Sequence, residues 1–460
     1  MPAASVSVDM LRQRLGVQAP VGAAELASAL GVSVPTVHRL LARLAPDELV
    51  TAGRARRTRY GLSRALRGGP TRLPVHAVDA DGRLQVLSAL KPLRPEGHWL
   101  DLSGTDWPVP EEATDGWWPG LPYPLQQMRP QGYMGRQFAR AEHRRLQVPA
   151  DVAHWSDDDA LFAMSQAGSD LSGNLIVGEA ATELWLAERA AGVEPVPPGG
   201  LPAHYLDQAE LAVSAGVAGS SAAGEFPKFT ARRALDGAAT PHVIVKFSGA
   251  ENSATVRRWS DLLVCEHLAL AHVGTLSGLR AARSRVLEAG GRTFLEVERF
   301  DRHGEAGRSP LVALDVANAA FIGSPSADWP LLLARLGALG LVDDDTQAAV
   351  QRLWWFGRLI ANTDMHTGNL AFVPVASRLQ LAPAYDMLPM RFAPLPGGEL
   401  PARGVELALP APAQRAAWLE ACTAALGFWR EAAGDARIGD AFRAVCAEHA
   451  AALTRLQDRA

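Results

Sequence analysis

The alternation of apolar and polar positions divides this chain before any motif is considered. In SVSVDMLRQRLGV, Val8, Leu11 and Leu15 fall at i, i+3 and i+7, the spacing of one face of a helix. GAAELASALGVSVPTVHRLLARL (22–44) repeats that period twice, broken at GVS, where Ser33 suits an N-cap and Pro35 a first helical turn. ELVTAGRARRTRYGLS then predicts two short strands around Gly53. Helix, helix-turn-helix and β-wing in this order predict a winged helix-turn-helix over residues 1–68, closed by the linker RGGPTRLP (67–74). Between 75 and 210, strand-like runs such as LQVLSALKPL and HWLDLS surround a Pro- and Trp-rich region, and a helix is expected around DDALFAMSQAG. Trp117, Trp118 and Trp155 are read as packing residues. From 241 the pattern is α/β, and from 346 it is mainly helical.

Composition narrows the class without naming a chemistry. The 460 residues are 48% hydrophobic and 20% charged, with a formal net charge of −4, which describes an ordinary globular chain. Three cysteines, Cys265, Cys422 and Cys446, lie far apart with no CxxC spacing, so a reducing compartment is expected and a metal knot is not. The N-terminus lacks an apolar signal core. WPLLLARLGALGLV is interrupted by Arg335 and too short to span a bilayer, so the expectation is a cytoplasmic protein without membrane association.

Local charge tells more than the total. From Thr51 to Pro70 there are six arginines and no acid. Alone such a run also fits a solvated hairpin; beside a helix-turn-helix it points to double-stranded DNA, with Arg54, Arg56, Arg57 and Arg59 on phosphates and Thr36, His38 and Arg39 near base edges.

Four segments downstream carry candidate chemistry. GSSAAGEFPK (219–228) is small enough in side chain for backbone N–H groups to approach phosphate oxygens, and the same run also fits a flexible linker. PHVIVKF (241–247) is a β-branched strand with one lysine, Lys246, which needs an anionic partner: a nucleotide phosphate or a structural carboxylate. Glu266, on the helix DLLVCEHLALAHVG, could pair with it. FLEVERFDRHG reads as a strand that loosens at Glu298, Arg299 and Phe300, either a hinge meeting an adenine edge or a solvated strand end. In NTDMHTGN, Asp364 and Asn369 have the D-x-x-x-x-N spacing of a kinase catalytic loop, and LAPAYDMLP supplies a second carboxylate, Asp386. Asn and Asp oxygens completed by phosphates suit Mg²⁺.

These residues resemble the HipA family of toxin-type serine/threonine kinases, and the winged helix makes the layout most similar to the YjjJ-type branch. The motifs are SAAGEFPK, VIVK, VERFDR, NTDMHTGN and APAYDMLP, over roughly 75–400, with RPQGYMGR (129–136) at the place of an N-terminal subdomain segment. The resemblance implies an α+β chain: the winged helix, a HipA-like N-terminal subdomain (75–210), a kinase N-lobe (211–305) and a mostly helical C-lobe (306–460). It implies ATP and Mg²⁺ as cofactors, a protein Ser/Thr substrate and, as a further partner, an antitoxin. By position, Asp364 and His366 would be catalytic, and Asn369 and Asp386 the Mg²⁺ ligands. Ser221, Ala222, Ala223, Gly224, Lys246, Glu298, Arg299, Phe300 and Tyr385 would bind nucleotide, and Ser221 would be autophosphorylated. The family carries a lysine where this chain has Gly368. That departure favours one alternative, a DNA-binding regulator with an ATP-sensing body. The other is a metal-dependent nuclease using Asp364, His366 and Asp386.

Overall fold

In the computed structural model, the structure describes residues 6–214, 226–401, 404 and 407–459. The chain divides into two compact units. The first takes in the described residues up to Asp79 with Arg83–Pro130 and Ala139–Ala191, and the second Ala80–Gly82, Gln131–Phe138 and Gly192 onwards.

The first unit begins with α1 (Val8–Val17), β1 (Val21–Gly22), α2 (Ala23–Leu30), α3 (Val34–Leu41), β2 (Leu49–Ala52) and β3 (Arg59–Leu62). The strands form an antiparallel sheet in the order β1-β3-β2, the element order expected of a winged helix-turn-helix. The helices meet where the period placed them: Leu11, Leu15, Leu26, Val37, Leu40 and Leu41 share one core with Tyr60. The Ser7 hydroxyl accepts the Met10 N–H at 3.2 Å, and Gly31 turns the chain between α2 and α3 at φ 65°. A side chain is disfavoured there, so glycine has a steric reason. The wing is no tight hairpin, since a 3₁₀ turn over Ala55–Arg57 separates its strands.

Onward run β4 (Leu73–Val78), β5 (Leu84–Pro92), β6 (His98–Trp99), β7 (Trp117–Trp118), α4 (Tyr123–Gln126), α5 (Gly132–Leu146), α6 (Asp157–Ala167), β8 (Leu175–Val177) and α7 (Glu179–Ala191). Five strands form one sheet in the order β7-β6-β5-β4-β8. HWLDLS contributes only two residues of strand, His98 and Trp99, and the Leu100 carbonyl accepts the Trp118 indole N–H at 3.0 Å. Trp117, Trp118 and Trp155 are buried, as the packing reading expected. The acidic start of α6 holds three arginines: Asp157 takes Arg129 at 2.9 Å, Asp158 takes Arg64 at 2.6 Å through both oxygens, and Asp159 takes Arg67 at 3.2 Å. Carboxylates at a helix N-terminus also meet the positive end of its dipole.

The second unit carries α8 (Leu201–Ser214), β9 (Lys228–Arg232), β10 (His242–Phe247), α9 (Ala254–Val273), β11 (Ser284–Ala289) and β12 (Arg292–Glu298). An antiparallel sheet in the order β11-β12-β10-β9 results. Alternation along β10 sorts its faces: Val243, Val245 and Phe247 pack with Leu201 and Tyr205 of α8, while Lys246 meets Glu266 of α9. Then follow β13 (Arg302–His303), β14 (Gly307–Arg308), β15 (Val312–Ala313), α10 (Leu314–Phe321), α11 (Trp329–Ala338), α12 (Asp344–Leu359), β16 (Ala371–Val375), β17 (Arg378–Leu381), α13 (Arg415–Gly434) and α14 (Asp440–Gln457). β15, β16 and β17 form a small sheet, and the helices bury Trp329, Phe356, Trp418, Phe428, Trp429 and Phe442. Among the described residues no helix is long and apolar enough to cross a membrane.

Asp261 of α9 is buried and accepts the Gly439 N–H at 2.8 Å, and burial pushes its carboxyl up to about 6. With the native value above that of the unfolded chain, the folded protein holds the extra proton between the two, so this group costs stability as pH rises toward 6. Asp261→Asn keeps an oxygen for Gly439. In urea titrations it is expected to gain about 1–2 kcal/mol at about pH 7.5 and almost nothing at about pH 4.5.

Candidate functional site

Chain geometry in the second unit makes the ligand-rich turn of residues 362–369 a continuation of α12. That helix ends at Leu359, and Ala361 takes φ 60°, a left-handed value that lets the Asn362 N–H return to the Gly357 carbonyl at 2.8 Å. The Trp429 indole donates to the Leu359 carbonyl at 3.0 Å, anchoring the exit of the helix to α13. The Asn362 side-chain oxygen accepts the Asp364 N–H at 3.0 Å, and Asn369 Nδ2 donates to the Asp364 carbonyl at 2.8 Å. Asp364 is thus presented at an exposed position by side-chain bonds from Asn362 and Asn369 to its main chain, while Asn369 is buried beside it.

His366 caps the short 3₁₀ turn Thr367–Asn369, its Nδ1 accepting the Gly368 N–H at 3.1 Å. That bond places the ring proton on Nε2 in the neutral form. The Gly368 carbonyl accepts the Tyr385 hydroxyl at 2.6 Å, and the Tyr385 ring lies 5.6 Å from that of Phe300. A Cβ at Gly368 would lie 3.0 Å from the His366 ring, so any side chain there would require the imidazole to shift.

Opposite the turn lies the charge centre. Lys246 Nζ donates to both oxygens of Glu266 at 2.7 Å and to Asp386 Oδ1 at 2.5 Å. Glu266 is fully buried and Lys246 nearly so, whereas Asp386 keeps a quarter of its side chain exposed. Burial opposes ionisation of Asp386, but Lys246, with Lys228 and His366 nearby, holds the carboxyl at about 2. Burial also works against the Lys246 ammonium, and the two carboxylates outweigh it and keep the lysine protonated. The fully buried Glu266 is displaced upward by burial despite its lysine. Asp386 itself sits at φ 58°, a backbone state that aims its side chain back at β10.

The structure therefore gathers Lys246 and Asp386 directly, with Tyr385 joining that segment to the turn of residues 362–369. Glu266, which spacing alone could only suggest, is the lysine's partner. Lys228, the last residue of SAAGEFPK, lies opposite Lys246 on the neighbouring strand and acts on Asp386 and Glu266. Asn362 is a positioning residue that the motif spacing does not single out; an Asn two before an Asp is the turn signal that would find it. The Glu298 carboxylate turns away to Arg233 at 2.9 Å, and Arg299 pairs with Asp301 at 3.1 Å. Only Phe300 of that trio offers a side chain toward Tyr385. Ser221, Ala222, Ala223 and Gly224 lie outside the described residues.

In the first unit, His38, Arg39, Arg54, Arg56 and Arg57 are exposed and Thr36 is half-buried. Arg39 donates to the Thr36 hydroxyl at 3.0 Å, Arg57 to Asp115 at 2.9 Å, and Arg59 pairs with Glu25.

With one carboxylate removed, Lys246 keeps Asp386, so Glu266→Gln is expected to lose roughly 2–3 kcal/mol of stability rather than the larger cost of a wholly unpaired buried charge. Chemical denaturation of the variant against the unchanged chain measures it.

Comparison with known proteins assigns the chain to a family. Residues 69–186 match the YjjJ-like toxin middle domain, and residues 220–453 match the HipA-like C-terminal domain. The toxin YjjJ of Escherichia coli (strain K12) is 36% identical over 443 residues, covering 96% of this chain and 97% of its own length. Among solved structures, a chain of the Shewanella oneidensis MR-1 complex of HipA, HipB and operator DNA superimposes with a TM-score of 0.49 at 14% identity, over 84% of this chain and 97% of that one. The Helicobacter pylori proinflammatory kinase CtkA gives 0.35 at 12% identity, over 51% and 90%. The chain belongs to the HipA-like toxins, in their YjjJ branch.

Proposed function

We propose that this protein is an ATP-dependent serine/threonine protein kinase that phosphorylates itself at Ser221 and binds double-stranded DNA through its N-terminal winged helix. The observation that carries the kinase reading is the buried Lys246 held by Glu266 and Asp386. A strand lysine paired to a helix glutamate is what a kinase needs before it can hold nucleotide phosphates. Asp364, exposed on its braced turn, would accept or orient the acceptor hydroxyl proton. His366 would shape that turn.

The donor set fits Mg²⁺. Asn369 spends its amide nitrogen on the Asp364 carbonyl, leaving Oδ1, and Asp386 spends Oδ1 on Lys246, leaving Oδ2 on a carboxylate held ionised. Both are hard oxygen ligands. Among the described residues no three His, Cys, Asp or Glu side chains are grouped for a metal, so phosphate oxygens would complete the shell. When bound, the ion would neutralise charge on the transferring phosphoryl group. Backbone groups at Glu298–Phe300 would meet the adenine edge, with Phe300 and Tyr385 offering ring faces. An antitoxin is a natural partner for a toxin of this family, and the acceptor is a Ser/Thr of another protein.

Asp386→Asn removes a negative ligand at almost constant volume and is expected to abolish phosphoryl transfer from labelled ATP with Mg²⁺ while leaving the circular dichroism unchanged. Mass spectrometry should find phosphate on Ser221 in the unaltered protein and none in Asp364→Ala. A protein that binds ATP but transfers no phosphate to itself or to lysate proteins would instead be the ATP-sensing regulator.

For DNA, Arg54 and Arg56 carry more weight than the ion-paired Arg57 and Arg59. Each of the first two replaced by Ala is expected to flatten the dependence of log affinity on log salt by about 0.9 for every phosphate that its guanidinium neutralises, and Arg59→Ala by less. Fluorescence anisotropy of a duplex across a salt series reads this directly.

A further inference from the structure

Away from Lys246, the second unit contains a cavity of about 560 Å³, within the range of small-molecule sites. One wall is apolar, from Leu270 and Ala271 of α9 with Ala281 and Ala282. The other is rich in guanidinium groups: Arg233, Arg283 and Arg285, with Asp236 and Glu298.

Arg233 is 2% exposed. Its Nε reaches Glu296 at 3.1 Å and its Nη2 reaches Glu298 at 2.9 Å, but its Nη1 is buried with no hydrogen-bond partner among the described residues. A buried donor left without an acceptor is costly, so an acceptor at this point stabilises the site. Arg285 is committed to both oxygens of Glu296, at 2.7 and 2.9 Å. Arg283 is exposed and donates only to the Gly237 carbonyl, at 2.9 Å, without a carboxylate of its own among the described residues. His267 donates or accepts at Ser284, 2.9 Å away. The cavity thus offers one orphaned guanidinium donor and one guanidinium with no anion, beside an apolar wall.

We propose that this cavity is a binding site for a small organic carboxylate carried on an apolar stem. The carboxylate would meet Arg233 Nη1 and Arg283, in the charge-assisted geometry that guanidinium groups favour, and the stem would lie along α9. A single negative charge balances Arg283. A phosphate, with its second charge, would be repelled by Asp236 and Glu298, and a neutral amide would leave Arg283 unbalanced. Because His267 directly follows Glu266, and Glu298 ends the strand that leads to Phe300, a bound ligand would brace the two elements flanking the lysine site. The assignment itself does not depend on phosphoryl transfer.

The carboxylate has two sources, a free acid or the C-terminus of a polypeptide. Isothermal titration of the full chain tests both, with phenylacetate, phenylacetamide and inorganic phosphate as probes, beside acetyl-Ala-Phe with a free or amidated terminus. Phenylacetate should bind saturably, with the amide and phosphate at least about tenfold weaker. Arg283→Gln should weaken the acid about tenfold, and Ala271→Trp should abolish its binding by filling the wall. Both positions are exposed, so unchanged thermal melting is expected of each. Tighter binding of the free-terminus peptide than of phenylacetate assigns the site to polypeptide ends, and weaker binding assigns it to free acids. Equal affinity for phenylacetate and its amide, indifference to both substitutions, or no saturable binding of any carboxylate probe overturns the proposal.

Discussion

A single buried ammonium organises the second unit. Lys246 sits in the middle of a β-branched strand, where a lone cation would be expensive, and two carboxylates from distant parts of the chain answer it. Meeting that requirement ties three elements together. β10 supplies the cation, α9 supplies Glu266, and the segment after β17 supplies Asp386. Asp386 adopts a left-handed backbone to do so, a conformation that costs on the order of 1–3 kcal/mol for a residue with a side chain.

The helical part of the unit does the complementary work of bracing the ligand-rich turn of residues 362–369. Trp429 and the Phe392 neighbourhood close over the end of α12, and the Arg391 N–H reaches the Ala361 carbonyl at 3.0 Å. Hydrogen bonds from the Asn362 and Asn369 side chains to its main chain then position Asp364. Tyr385 joins the two halves of the site through one hydroxyl, linking the residue before Asp386 to the residue before Asn369. Gly368 fits this arrangement, because its missing side chain leaves room for the His366 ring that caps the turn.

In the first unit, the problem is how arginine-rich chain is distributed between structure and surface. The acidic start of α6 consumes Arg64, Arg67 and Arg129, and Asp115 takes Arg57. Among the described residues of the wing, Arg54 and Arg56 are left exposed and without a carboxylate. An arginine run on paper is thus two kinds of residue in space, one tied to α6 and to Asp115 and one left exposed without a carboxylate among the described residues.

Local physics made much of this legible in the sequence. The helical period of Leu11, Leu15, Val37 and Leu41 located the N-terminal core, because burial on one helix face requires that spacing. The lone lysine in VIVKF demanded an anion, and the Asp364–Asn369 spacing marked a ligand turn, because both follow from short-range geometry. Tertiary structure decided the rest. Which carboxylates would answer Lys246 depended on bringing residues 20 and 140 positions away to the same nitrogen. Glu298 and Arg299 do stand at a strand end, yet their side chains are spent on Arg233 and Asp301, partners that no local pattern identifies. The orphaned nitrogen of Arg233 is likewise invisible in sequence, since a missing partner is a property of packing. Sequence spacing specifies what a residue needs, and only the folded chain determines who supplies it.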